Sequence, residues 1–170
     1  MARLAACETS IKSIVKYREM MLDDLLSIVN IEQEANQFPW SIKNFEDSMK
    51  AKHHAWVFVD DRNEIQGYTL VQKVVDETHL LNICVKPSAQ GQGLGREILN
   101  HVIDFANSIS SVLIVLEVRS SNQRAQQLYL QSGFNEMSIR KDYYPAKEGR
   151  EDAVLMGLDL DLMSLFNENL

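Results

Sequence analysis

Three stretches of the chain carry residues whose types and spacing can do chemistry. The first is Gln90-Gly91-Gln92-Gly93-Leu94-Gly95-Arg96, which follows an apolar run ending at Val85. Leu94, Ile98, Leu99, Val102, Ile103 and Ala106 then recur at helical spacing. Glycine-rich backbone opening a helix leaves N–H groups free, with the positive end of the helix dipole behind them, which suits a pyrophosphate. A Walker loop would end in Gly-Lys-Ser/Thr, and this stretch does not. For a dinucleotide fingerprint the glycines stand too close, and no first strand of a Rossmann unit precedes them. The same glycines also suit a plain tight turn, and alone they leave both readings open.

The second stretch is Leu116-Glu117-Val118-Arg119-Ser120-Ser121-Asn122. Glu117 ends a run of five apolar residues that reads as a central strand covered on both faces. Ligands of open α/β sheets collect at the carboxyl ends of strands, and a carboxylate there can take a proton directly or through water. A glutamate where a strand reaches solvent would look the same. The third stretch contains Tyr129, on a helix-period segment that ends at Gly133. Its phenol, with an ordinary pKa of about 10, is a competent proton donor near neutrality. A core aromatic on a helix fits that position equally well. Cys84 lies in an apolar strand with no base nearby in sequence, so an inert buried thiol is favoured over an acyl-accepting nucleophile. His53-His54 reads as a polar turn rather than a metal site.

The elements that must position these residues follow from periodicity. Residues 11–18 and 55–59 read as strands. Residues 65–75 and 78–85 continue a meander after a polar turn at 60–64. Residues 21–35 have the apolar spacing of an amphipathic helix, broken by Phe38-Pro39-Trp40. Ser41 can cap a short helix carrying Ile42, Phe45 and Met49 on one face, and Asn122 can cap the helix holding Tyr129. Residues 134–143 and 153–160 are two more strands around a turn with Pro145 and Gly149. The helix from Leu94 to about Asn107 joins two strands, and such a crossover makes them parallel. A single α/β domain results. Its central sheet is mixed and mostly antiparallel, with one parallel strand pair and helices on both faces.

Composition narrows the function. The chain has 170 residues, 45% hydrophobic and 24% charged, which fits one globular domain. Its net charge of −7 makes it a poor phosphate tracker, so direct nucleic-acid binding is not expected and a basic partner suits it better. Two cysteines give no disulfide framework, and no Cys/His spacing resembles a zinc site, so no metal is expected. Nothing approaches the roughly 18 apolar residues of a membrane span, and no signal-peptide core is present, so a cytoplasmic protein is expected.

Taken together and in order, these stretches resemble the GNAT superfamily of N-acetyltransferases. Gln90, Gly93 and Gly95 match its glycine signature, and Asn122, Ala125, Leu128, Tyr129, Gly133 and Phe134 match its second signature region. Within the superfamily the chain is similar to the RimI-type ribosomal-protein-alanine N-acetyltransferases. That likeness rests on Ile31-Glu32-Gln33, Phe38-Pro39-Trp40-Ser41, Leu116-Glu117-Val118-Arg119, Tyr143-Tyr144-Pro145 and Gly149-Arg150-Glu151-Asp152-Ala153.

The resemblance implies an N-acetyltransferase domain over residues 11–160, a C-terminal tail at 161–170, and acetyl-CoA as co-substrate. Ile83, Cys84 and Val85 would offer backbone groups to the pantetheine arm and thioester. Gly91, Gln92, Gly93, Leu94, Gly95 and Arg96 would wrap the pyrophosphate, and Asn122 would bond the cofactor arm. Glu117 would be the general base and Tyr129 the general acid. Gly91 departs from the type, which often carries arginine there; that would weaken phosphate affinity or shift the load to Arg96, and leaves the loop's backbone donors in place. The implied substrate is the N-terminal alanine of a basic small-subunit ribosomal protein, acetylated by direct attack of its amine on the thioester. Glu32, Glu34, Glu151 and Asp152 are candidates to meet that peptide, or else solvated surface charges. Phe38-Pro39-Trp40 and Tyr143-Tyr144-Pro145 would lie in loops flanking its cleft. A monomer is expected. An acetyltransferase for lysines or small polyamines, and a non-catalytic acetyl-CoA-binding module, are the competing readings.

Overall fold

The computed structural model describes residues 16–161. Strand β1 (Lys16–Glu19) leads through a 3₁₀ turn to α1 (Leu25–Ala35) and α2 (Ile42–Lys50). A meander follows, β2 (His54–Val59), β3 (Ile65–Val74) and β4 (Glu77–Val85). Helix α3 (Leu94–Ser108) crosses to β5 (Leu113–Arg119), and α4 (Gln123–Gln131), β6 (Asn135–Pro145) and β7 (Arg150–Asp159) complete the fold. Of the expected first strand, residues 11–15 lie outside the described residues, as do Cys7 and the expected tail beyond 161.

Local chemistry sets the joints. The Ser41 side chain accepts from the Asn44 N–H at 3.4 Å while Asn44 Oδ1 accepts from the Ser41 N–H at 2.9 Å, a reciprocal cap that starts α2. Asp60 Oδ1 accepts from the Arg62 and Glu64 amides at 2.9 Å and folds the β2–β3 turn. Asn122 Oδ1 accepts from the Ala125 N–H at 3.1 Å and starts α4.

The seven strands among the described residues form one sheet in the order β1-β2-β3-β4-β5-β7-β6. Only β4 and β5 run parallel; every other neighbouring pair is antiparallel. Strand β7 returns inside β6, so β6 is the edge. Helix α3 packs Ile98, Leu99 and Val102 against Phe58, Leu80, Ile114 and Leu116 on one face. Helices α1 and α2 bring Ile28, Ile31 and Phe45 to Val57, Tyr68 and Leu70 on the other. Truncating Ile98 or Phe45, both fully buried, would cost roughly 2–5 kcal/mol.

This second layer reaches only as far as β4. That corrects the expectation for β5. Its run of apolar residues alternates between buried (Ile114, Leu116, Val118) and half-buried (Leu113, Val115, Glu117). One face of β5 is therefore roofed by α3 and α4, and the other borders a cleft.

Candidate active site

The cleft begins where the parallel pair ends. Strands β4 and β5 stay in register only to Leu80 and Leu116. In the β3–β4 pair the register slips between Leu70 and Val71, which leaves Leu81 as an extra residue. Such a bulge bends its strand. Beyond it, β4 runs on to Val85 and β5 to Arg119 with no pairing between them. The Lys86 N–H bonds Gln66 O of β3 at 2.8 Å. Strand alternation then turns the amides of Ile83 and Val85 toward the free edge, and that of Cys84 away from it.

The space between the diverging strands is a cavity of about 570 Å³. Its walls include Ile83, Cys84, Val85, Gly91, Gly93, Gly95, Arg96, Glu117, Asn122 and Tyr129. Ten of the twelve residues picked from sequence thus meet at one site. Of the other two, Leu94 is buried in the α3 core and Gln92 bonds Ser88 O at 3.3 Å, so each contributes its backbone to the loop.

Gly91 and Gly93 both have left-handed φ, +80° and +92°. Side chains rarely adopt that conformation. Gly93 is the residue before α3 and has no side-chain cap; its carbonyl takes the Arg96 and Glu97 amides at 3.0 and 3.2 Å, and the helix opens at the cleft with the Leu94 and Gly95 amides. A Cβ at Gly95 would find only ordinary contact with Leu128 and Val85, so nothing in the protein itself requires glycine there. A ligand approaching that backbone closely would. Loop, dipole and open edge fit a pyrophosphate with a flexible arm. Arg96, expected at the phosphates, lines the same cavity, and its guanidinium donates to Gln131 Oε1 at 2.6 Å.

Glu117 is half-buried and pairs with Arg140 of β6. Its backbone oxygen accepts from the Tyr144 hydroxyl at 3.3 Å. Tyr129 is buried on α4, and burial lifts its phenol above the ordinary range, which keeps it protonated. Burial, then the neighbouring Glu117, push the Tyr144 phenol up to about 12. Burial beside Glu32 pushes the Cys84 thiol up to about 12, which favours the inert reading of that residue.

The amine-side wall differs from expectation. Tyr143-Tyr144-Pro145 belongs to strand β6 rather than a loop, because its pairing with β7 runs through Tyr144↔Glu151 and Pro145↔Arg150. Glu32 lines the cavity and is not a solvated surface charge. It is buried at 2% exposure, accepts from the Tyr68 hydroxyl, and also accepts from Asn36 Nδ2 at 2.9 Å and the Trp40 N–H at 3.0 Å. It anchors the α1–α2 connection. Glu151 pairs with Arg119 at 2.6 Å and Asp152 with Lys141 at 2.9 Å, whereas Glu34 is exposed. His54 starts β2 with its ring against Trp56 and Phe105 instead of forming a turn.

Three residues were missed by sequence reasoning: Arg119 as a bridge, Arg140 as the partner of Glu117, and Arg124 beside the glycine loop. All reach across elements distant in sequence, and no spacing pattern signals such contacts. Period-2 alternation places Arg140 on a face of β6 but does not say which strand lies beside it.

The family model described as "Acetyltransferase (GNAT) family" matches residues 25–134. The chain belongs to the GNAT family of acetyltransferases. A ribosomal protein bS18-alanine N-acetyltransferase of Escherichia coli strain K12 is 40% identical over 139 residues, 82% of this chain and 93% of that protein. The crystal structure of the ribosomal-protein-S18-alanine N-acetyltransferase from Escherichia coli superposes with a TM-score of 0.81 at 38% identity, covering 86% of this chain and 94% of that one. Mutant forms of a spermidine/spermine N-acetyltransferase from Vibrio cholerae reach a TM-score of 0.76 at 20% identity over 92% and 98% of the two chains. That last likeness carries the GNAT fold alone. Among the described residues no helix is long and apolar enough to cross a membrane.

Proposed function

We propose that this GNAT protein transfers an acetyl group from acetyl-CoA to the α-amine of an N-terminal alanine on a ribosomal protein. The observation that carries the reading is the 40% identity to the bS18-alanine enzyme across nearly its whole length. It is supported by a cleft in which Glu117 and Tyr129 share one cavity with the glycine loop.

Acetyl-CoA supplies the activated acyl group as a thioester. The amides of residues 91–96 hold its pyrophosphate against the α3 dipole. Ile83 and Val85, whose amides face the free edge of β4, align the arm and stabilise charge building on the carbonyl oxygen. An α-amine has an ordinary pKa of about 7.7–8.0, so it must lose a proton before it attacks. Glu117 takes that proton, through water, as the amine competes with Arg140 for its oxygens. Tyr129, kept protonated by burial, gives its proton to the departing thiolate. A lysine, at about 10.4, is harder to deprotonate, so the same site favours chain N-termini.

Two basic peptides beginning with alanine, one with a free N-terminus and one blocked but containing lysine, test this with acetyl-CoA and mass spectrometry. Acetylation of the free N-terminus alone is expected. Modified lysine would replace the reading with a lysine or polyamine enzyme. Cofactor binding with no product would leave a non-catalytic acetyl-CoA-binding module.

A further inference from the structure

At its Gly91 end the glycine loop carries no cation of its own. Gly91, Gly93 and Gly95 have no side chains, Gln92 bonds Ser88 O, and Arg96, the one cation of the stretch, stands at the other end with its guanidinium on Gln131. Backbone amides offer partial charges, whereas a pyrophosphate carries full ones. One guanidinium does reach the loop, from another element. Arg124, in the first turn of α4, lines the same cavity. Its Nη2 lies 3.9 Å from where a Cβ on Gly91 would stand, and its Nη1 donates to Gln90 Oε1 at 3.0 Å. Arg124 therefore projects its charge over the position where the loop is barest.

Resting on the proposed use of acetyl-CoA, we propose that Arg124 is a cofactor-binding residue whose guanidinium takes the pyrophosphate from the α4 side. It supplies in trans to the loop the charge that Gly91 does not. The planar fork can bond two phosphate oxygens while the loop amides bond others. Arg124 is exposed, with one neutral hydrogen bond to give up, so little holds it back from the phosphates. The arrangement also makes α4 a joint support of both ends of the ligand: Arg124 at the phosphates and Tyr129, farther along the helix, at the thioester.

Isothermal titration of the full chain with acetyl-CoA tests this without turnover. Arg124→Ala and Arg124→Gln are each expected to weaken binding about 10-fold at low salt, and Arg124→Lys to recover part of the loss. The deficit shrinks as salt is raised, because an ionic contact is screened and a purely structural prop is not. The same loss with 3′-dephospho-CoA places the guanidinium on the pyrophosphate. A loss that vanishes with that probe would move Arg124 to the ribose phosphate and overturn the assignment. Unchanged affinity in Arg124→Ala, or a deficit insensitive to salt, also overturns it. A wild-type chain that does not bind acetyl-CoA at all overturns the proposed function as well, so the two failures are distinguishable.

Discussion

The guanidinium of Arg119 lies 4.4 Å from the centre of the Tyr144 ring. It also lies 4.9 Å from the centre of the Phe38 ring, and its Nη1 donates to Pro145 O at 2.8 Å and to Glu151 at 2.6 Å. One residue at the end of β5 thus ties the α1–α2 connection to β6 and β7. Phe38, Arg119 and Tyr144 of that bridge line the same cavity as the glycine loop. Glu32 secures the near end of the same connection by accepting from the Trp40 N–H.

Arg119→Ala is expected to raise the KM for an N-terminal peptide about 10-fold, the loss of a stacked, charge-assisted bridge. Acetyl-CoA affinity should stay within about 2-fold, since the phosphate loop is held by other contacts. Steady-state kinetics with the peptide varied checks this. Arg119→Lys should recover little, because lysine can neither stack flat nor fork. An unchanged peptide KM would deny the bridge a part in substrate binding.

Glu117→Gln should lower the transfer rate by about 10² or more, as removal of a general base does. Acetyl-CoA binding, followed by calorimetry, should barely move. A variant as fast as the parent at neutral pH would remove Glu117 from the proton path.

Tyr129→Phe should slow the chemical step by about 10² while the fold is kept, since only one hydroxyl is lost from a buried ring. Rapid-mixing single-turnover measurements isolate that step from product release. A normal single-turnover rate would assign Tyr129 to packing alone.

Acid stability should depend on Asp24. It accepts from both Arg18 guanidinium nitrogens, at 2.7 and 2.8 Å, and from the Met21 N–H at 2.7 Å. The bond from Arg18 holds its carboxyl below the usual range. A carboxyl depressed by folding stabilises above its unfolded pKa of about 3.9, and that stability fades as pH falls through the lower folded value. Asp24→Asn should therefore cost about 1 kcal/mol at pH 7, a modest figure because Arg18 is partly exposed and screened. The gap in thermal midpoint between the two proteins should close as the pH drops below about 4. A gap that persists in acid would mean the ion pair is not its source.

Short-range patterns in the chain specified most of the elements and much of the site. Helical spacing in α1 and α3, the caps at Ser41 and Asn122, and the glycine loop are local features whose chemistry acts within a few residues. They are legible because capping, periodicity and left-handed turns depend on neighbours in sequence. The motifs around Gln90, Glu117 and Tyr129 likewise announced the acetyltransferase family.

Tertiary structure alone decided what lies across from what. The apolar run of β5 could not reveal that its second face is only half-covered, because that depends on α1 and α2 stopping at β4. Glu32, Glu151 and Asp152 each have a partner far away in sequence or across a hairpin, which no local pattern shows. The neighbourhoods of Arg119, Arg124 and Arg140 have the same origin. Long side chains reach whatever the fold brings within a few ångströms, and only strand order and helix placement determine what that is.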